Sequence, residues 1–461
     1  MNIKNPIQHL IIAGRGFTPV LTALFLQKKW GSLAPRITLL QCGENPDPPI
    51  LSCVSSIKGV HKELGIAEID FVRKTQASFH LGTLCHFPDR PEFFMSESPY
   101  GVSIHSVRFQ HWFTRYRQAG HSAQFDEFCI NAQIAKRGRF APPSPKPESV
   151  YSQVCYGYKL LSENYAHYLA EQLEANITVI QDEIADVATD ANGIKSIHLK
   201  NNSAIAADLY IDCTSDHQLK RFISNKIPPS TTGHSWSVEE THNNRVGPPH
   251  NSLFAADNAL AFVTELHGKI YRQAIPCISV LPSIWLRDPE PWQKNCLSLG
   301  AATSDRPALL IDPVHLVASS LYRLYNSWPT SSDFNTPAQT YNSSFDDEWD
   351  RIADSDSLHV WATCGRDEKY LTEAAKHRLC VFASDGRIPP YENETLMEDQ
   401  WAALFFALGI NAEIADPLTA DADDAWIAAQ LGKLKATLQA AAQHAPELEH
   451  FYRKEVSGLR T

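Results

Sequence analysis

HLIIAGRGFTPVLTALFLQKKWG at residues 9–31, followed by RITLL at 36–40, decides the fold. A short apolar run ends at Gly14-Arg15-Gly16, apolar residues then recur at helical spacing, and an Ile- and Leu-rich run follows. Strand, glycine turn, helix and strand in that order are the opening βαβ unit of a nucleotide-binding sheet. In such a unit the glycines let a phosphate approach the backbone N–H groups at the helix N-terminus.

Outward from that unit, a loop rich in Pro and Asp (Asn45 to Pro49) leads to a helical stretch, Ile57 to Leu64, stopped by Gly65. Residues 90–150 are irregular and aromatic. Trp112, Phe113 and Tyr116 share one helical face there, and a proline-rich turn (Pro142, Pro143, Pro145, Pro147) closes the segment. It reads as an insertion near 85–150. From Ser162 a helix precedes three β-like runs, with Gly193 supplying a hairpin turn. The last of these, Ala207 to Cys213, is short and apolar, as a buried strand is. Strand-like pieces recur over 260–300, and beyond Trp328 the pattern turns helical, with Asp424 to His450 spaced as an amphipathic helix pair. The expected class is α/β, with a Rossmann-like domain over 1–330, carrying the inserted substrate region, and a mostly helical C-terminal lobe over 331–461.

The 461 residues, 43% hydrophobic and 20% charged, have the balance of a folded globular chain. A net charge of -11 without a basic stripe argues against nucleic acid as a partner. The apolar stretch Leu10 to Leu26 is broken by Gly14, Arg15, Gly16 and Pro19, so neither a spanning helix nor a signal-peptide core is expected. The ten cysteines are scattered without a CxxC pair, which predicts buried thiols in a reducing, cytoplasmic compartment rather than disulfides or a zinc site.

Several segments together resemble one family, the flavin-dependent tryptophan halogenases. GVHKELGIAEIDFVRKTQASFHLGT (59–83) is similar to the helix-loop-strand segment that carries the family's catalytic lysine. YGYKLLSENYAHYLAEQL, ADLYIDCTSD, LSLGAATS, LIDPVHLVASSLYRLYNSWP, YNSSFDDEWDRIADSDSLHV and the Trp401 region follow in family order, so the likeness spans nearly the whole chain. The resemblance implies an FAD/NAD(P)-binding Rossmann-like fold, FAD as cofactor, a flavin reductase as partner if the chain is active, and a homodimer as a frequent assembly.

Position by position, the resemblance places Gly14, Arg15, Gly16, Gln41 and Gly300 at the cofactor. The third glycine of the turn is Pro19, and Gln41 stands where an acid usually receives the ribose hydroxyls. The later Gly-Asp element reads Gly300-Ala301. Arg15 has two readings, a phosphate partner or an ordinary surface arginine. The family lysine aligns with His80, and the family glutamate and serine with His315 and Leu316. Of the aromatic signature that shields the flavin, Tyr271 and Ile275-Pro276 remain.

These replacements leave FAD binding weak or lost. Two imidazoles offer an acid/base pair or part of a metal site, against the plain reading of two core histidines; with no third ligand in sight, no metal is expected. Two functions compete. One is a non-halogenating binding or partner protein, holding a small aromatic or peptide ligand. The other is an active FAD-dependent halogenase or monooxygenase acting on an aromatic, indole-type substrate.

Overall fold

The structure is a computed structural model that describes residues 7–224, 235–241, 245–256, 259–276, 287–304, 309, 311–331 and 333–456. Residues 277–286 of the expected strand region therefore lie outside the described residues.

The opening residues form the βαβ unit expected of them: β1 (His9–Ala13), α1 (Phe17–Trp30) and β2 (Arg36–Gln41). Leu10, Ile11, Ile12 and Ala13 are fully buried, as a strand covered on both faces requires. β1 lies between β2 and the strand Leu209–Asp212, parallel to both. Thr178–Gln181 extends the sheet in parallel beyond β2, and Cys296–Ser298 extends it in parallel beyond Leu209–Asp212. The short strand Trp292–Gln293 closes that edge antiparallel. All five parallel strands end toward the glycine turn's side of the sheet, where nucleotide ligands sit in such folds.

Chain contacts divide the molecule into two compact units, Met1–Ala77 with Leu160–Thr232 and Trp285–Asp350, and Ser78–Lys159 with Gly233–Ile284 and Arg351–Thr461. Each interleaves three segments. The helix Asn335–Thr363 runs through the division, because a helix is continuous whichever unit its two ends join.

The first unit holds the parallel sheet and a small antiparallel one. Ile184–Asp190 and Gly193–Leu199 form its hairpin, where Gly193 has φ 124°, as the turn at that residue anticipated. The β-like stretch Ile177 to Asp190 is divided, Thr178–Gln181 joining the parallel sheet and Ile184–Asp190 the hairpin. Helix Ile57–Leu64 ends at Gly65 in the left-handed conformation, φ 72°.

The second unit contains a mixed six-stranded sheet in the order 235–240, 269–276, 259–266, 251–256, 83–86, 93–95. Lys159, on the separate strand Gly157–Leu161, is fully buried, and its ammonium donates to the carbonyls of Pro248 and Glu265. Burial brings that lysine's pKa down to about 7. The insertion is largely packed structure. Helix Phe109–Gln118 buries Trp112 and Phe113, and Trp112 stands edge-on to Trp426 with centroids 5.9 Å apart. Trp112 is therefore part of the core.

Candidate cofactor turn and histidine positions

Gly14 and Gly16 take positive φ values of 139° and 89°. Gly14 is needed for close approach as well, since a Cβ there would lie 3.0 Å from the Cβ of Cys213. Gly16 caps α1, whose first turn carries no acid and no side-chain cap from within the helix. Pro19 fits the first turn without breaking it, but it withdraws one of the N–H groups that a phosphate would use.

The turn is met from outside the helix. The Oδ2 of Asp47 accepts a hydrogen bond from the Phe17 N–H at 2.7 Å. A Cβ on Gly16 would stand 2.2 Å from that same oxygen and 2.6 Å from Asn45 Oδ1. The space that the glycine leaves open for a ligand is thus filled by the chain's own side chains. Burial pushes the Asp47 carboxyl up to about 7, and the Phe17 N–H opposes the rise.

The other residues assigned to the cofactor are engaged as well. Arg15 pairs with Glu183 at 3.4 Å, both half-exposed, and Glu183 also accepts from the Gly43 N–H at 3.0 Å. Gln41 Oε1 accepts from Gln181 Nε2 at 3.0 Å, across the register of the two neighbouring strands. Gly300 opens a short turn at φ 60°, and a Cβ there would touch Thr18 at 2.8 Å, so this element abuts the first turn of α1. Asp47 Oδ2 and Asn45 Oδ1 thus stand over the turn, in the space that a pyrophosphate would share.

His315 lies in the first turn of helix Pro313–Asn326. Asp312 caps that helix, accepting from the N–H groups of Val314 and His315 at 2.9 and 3.0 Å and, through its other oxygen, from Val54 at 2.8 Å. Burial raises the Asp312 carboxyl, and those three donors hold it down. The His315 ring bonds to Ser56 Oγ at 2.9 Å through Nδ1. His80 ends the strand Ser78–His80, opposite Gly157, and is buried. The preceding Phe79 stacks on Phe140 at 4.1 Å. The two histidines belong to different compact units, and among the described residues no group of three or more His, Cys, Asp or Glu could hold a metal ion. Tyr271 is buried in the sheet of the second unit, opposite Thr264 and Val238.

Sequence reading missed Asp47 and Asp312. Asp312-Pro313 is a local helix-start signal and was readable as one. Asp47 sits in a loop whose composition says only that it turns.

One concave feature of the second unit lies between the insertion and residues 406–411. A cleft of about 460 Å³ is lined by Phe93, Phe125 and Phe406 together with Arg90 and Arg117. Neither guanidinium meets a carboxylate among the described residues, whereas Glu127 at the same cleft pairs with Lys435.

Residues 9–221 and 231–424 match the family model described as tryptophan halogenase. Tryptophan 7-halogenase RebH from Lentzea aerocolonigenes is 22% identical over 435 residues, which cover 82% of this chain and 80% of that protein. BrvH, a flavin-dependent halogenase from Brevundimonas sp. BAL3, has a TM-score of 0.89 at 19% identity, covering 97% of this chain and 99% of its own. Xcc4156, a flavin-dependent halogenase from Xanthomonas campestris, has a TM-score of 0.85 at 22% identity, covering 97% and 98%. The flavin-dependent halogenase fold, with its Rossmann-like FAD-binding architecture, is therefore present.

Proposed function

Because the chain belongs to the tryptophan halogenase family, we propose that it keeps the family framework as a non-halogenating binding protein for a small aromatic or peptide ligand. One observation carries this reading: the polar groups that the sequence assigns to the cofactor are satisfied by the chain itself. Phe17 N–H is bonded to Asp47, Arg15 to Glu183 and Gln41 to Gln181. A phosphate or ribose has to displace these partners before it gains anything.

The halogenating positions support the same conclusion. His80 and His315 offer neither the primary amine nor the carboxylate of the family centre. The cleft in the insertion supports the binding role. Its volume of about 460 Å³ suits a small molecule, its phenylalanines suit a ring, and its two arginines, which meet no carboxylate among the described residues, suit a carboxylate.

The test is direct. Purified protein is expected to be colourless, and added FAD should leave its melting temperature unchanged. With a flavin reductase, NADH, FAD and bromide, it should yield no bromoindole from indole, and His80→Lys combined with His315→Glu should not restore turnover. A yellow preparation with stoichiometric flavin that brominates indole overturns the reading in favour of an active FAD-dependent halogenase or monooxygenase on an indole-type substrate.

A further inference from the structure

We propose that Asp47 is the residue that decides whether this fold accepts a dinucleotide: its carboxylate stands in for a pyrophosphate at the N-terminus of α1, and removing it opens the turn. The inference rests on the reading above and assigns its main physical cause to one side chain.

The geometry is that of a resident anion. A helix N-terminus presents unpaired N–H groups and a partial positive charge, which favour an anion placed over the first turn. α1 has no acid in its own first turn, so that role is open. Of the first three helical residues, Phe17 and Thr18 carry an N–H and Pro19 does not. Asp47 takes the Phe17 N–H at 2.7 Å, which leaves a pyrophosphate one donor of the two.

Position matters as much as the hydrogen bond. Both Asp47 Oδ2 and Asn45 Oδ1 lie within 2.6 Å of where a Gly16 Cβ would be, in the space over the turn that the glycine leaves empty. The loop is held in that pose by the Asp47 N–H bonded to Asn45 Oδ1 at 3.1 Å, and it is stiffened by Pro46, Pro48 and Pro49. The carboxylate is thus presented by a pre-shaped loop and loses little freedom on docking. An incoming phosphate meets an occupied space, and a like charge as the Asp47 carboxyl ionises through about pH 7, while Arg15, the cation within the turn, is engaged with Glu183.

FAD and, separately, ADP are titrated by calorimetry into wild type, Asp47→Ala and Asp47→Asn. ADP carries the pyrophosphate without the flavin, so it reports the turn alone. Asp47→Ala should bind both ligands at least about tenfold more tightly than wild type, and Asp47→Asn, which removes charge but keeps bulk, should fall between. Folding of each variant is checked by circular dichroism. Equal affinities of wild type and folded Asp47→Ala for both ligands overturn the inference and leave the proposed function standing. If Asp47→Ala does not fold, Asp47→Asn decides alone, and an affinity equal to wild type overturns it. Tight FAD binding by wild type defeats the proposed function, whereas the ratio between variant and wild type still judges Asp47. An Asp47→Ala protein that binds FAD yet does not brominate indole supports both.

Discussion

Asp47 ties one ionisation to the stability of the fold. Partial burial beside a single N–H pushes its carboxyl up to about 7 in the folded protein, against an ordinary 3.8. An acid whose folded pKa is raised binds its proton more tightly in the folded state. Its stabilising contribution is complete below pH 3.8 and is lost as the pH rises through about 7. Asparagine at this position cannot ionise and lacks that loss. The melting temperature of wild type relative to Asp47→Asn should therefore fall by about 2 °C or more between pH 5 and pH 8, followed by differential scanning calorimetry. Lys159 also titrates near 7, but it is present in both proteins and cancels in the difference. A gap that stays constant with pH would remove the buried ionisation from the account.

At the scale of elements, the helix Pro313–Asn326 depends on its first residue's predecessor. Asp312 satisfies two N–H groups of the first turn and ties the loop at Val54 to the same carboxylate. Asp312→Ala should lower stability by roughly 2–4 kcal/mol, the loss of a cap together with a buried donor left unpaired. Urea unfolding measures this, and a loss below about 0.5 kcal/mol would show that the loop at Val54 is held by other contacts. The local signals for these elements were legible. Gly65 stops its helix, Asp312-Pro313 starts another, and Gly193 makes the hairpin, because each acts through its own backbone or its nearest neighbours. The division of the 177–190 run between two sheets was not legible. Both halves have strand composition, and which sheet each joins depends on partners far along the chain.

For the whole molecule, the charge balance bears on what can bind. With a net charge of -11, the long-range field repels anions, so an anionic ligand needs a local positive site to hold it. Arg90 and Arg117 supply one at the cleft, and Arg366 lies close enough to Arg90 that burial and this neighbour lower its pKa. Indole-3-acetate should bind wild type measurably by calorimetry, and Arg90→Gln with Arg117→Gln should weaken it at least about tenfold, the worth of one charge-assisted hydrogen bond. Neutral indole-3-acetamide should bind more weakly than the acid to wild type. Equal binding of acid and amide would show that the arginines do not recognise a carboxylate. Among the described residues no helix is long and apolar enough to cross a membrane, in keeping with the broken apolar stretch at Leu10 to Leu26.

Residue order alone established the βαβ opening, the helix stop at Gly65, the hairpin at Gly193 and the family, since periodicity and turn chemistry are properties of neighbouring residues. It also marked His80, His315 and Gln41 as departures from the family pattern, because identity at a position is written in the chain. Only the tertiary structure decided what happens at the cofactor turn. Phe17 meets Asp47 across 30 residues and Arg15 meets Glu183 across 168. Such pairings depend on where loops close on the assembled sheet, and a carboxylate 30 residues away has no period that would announce its place over a helix end.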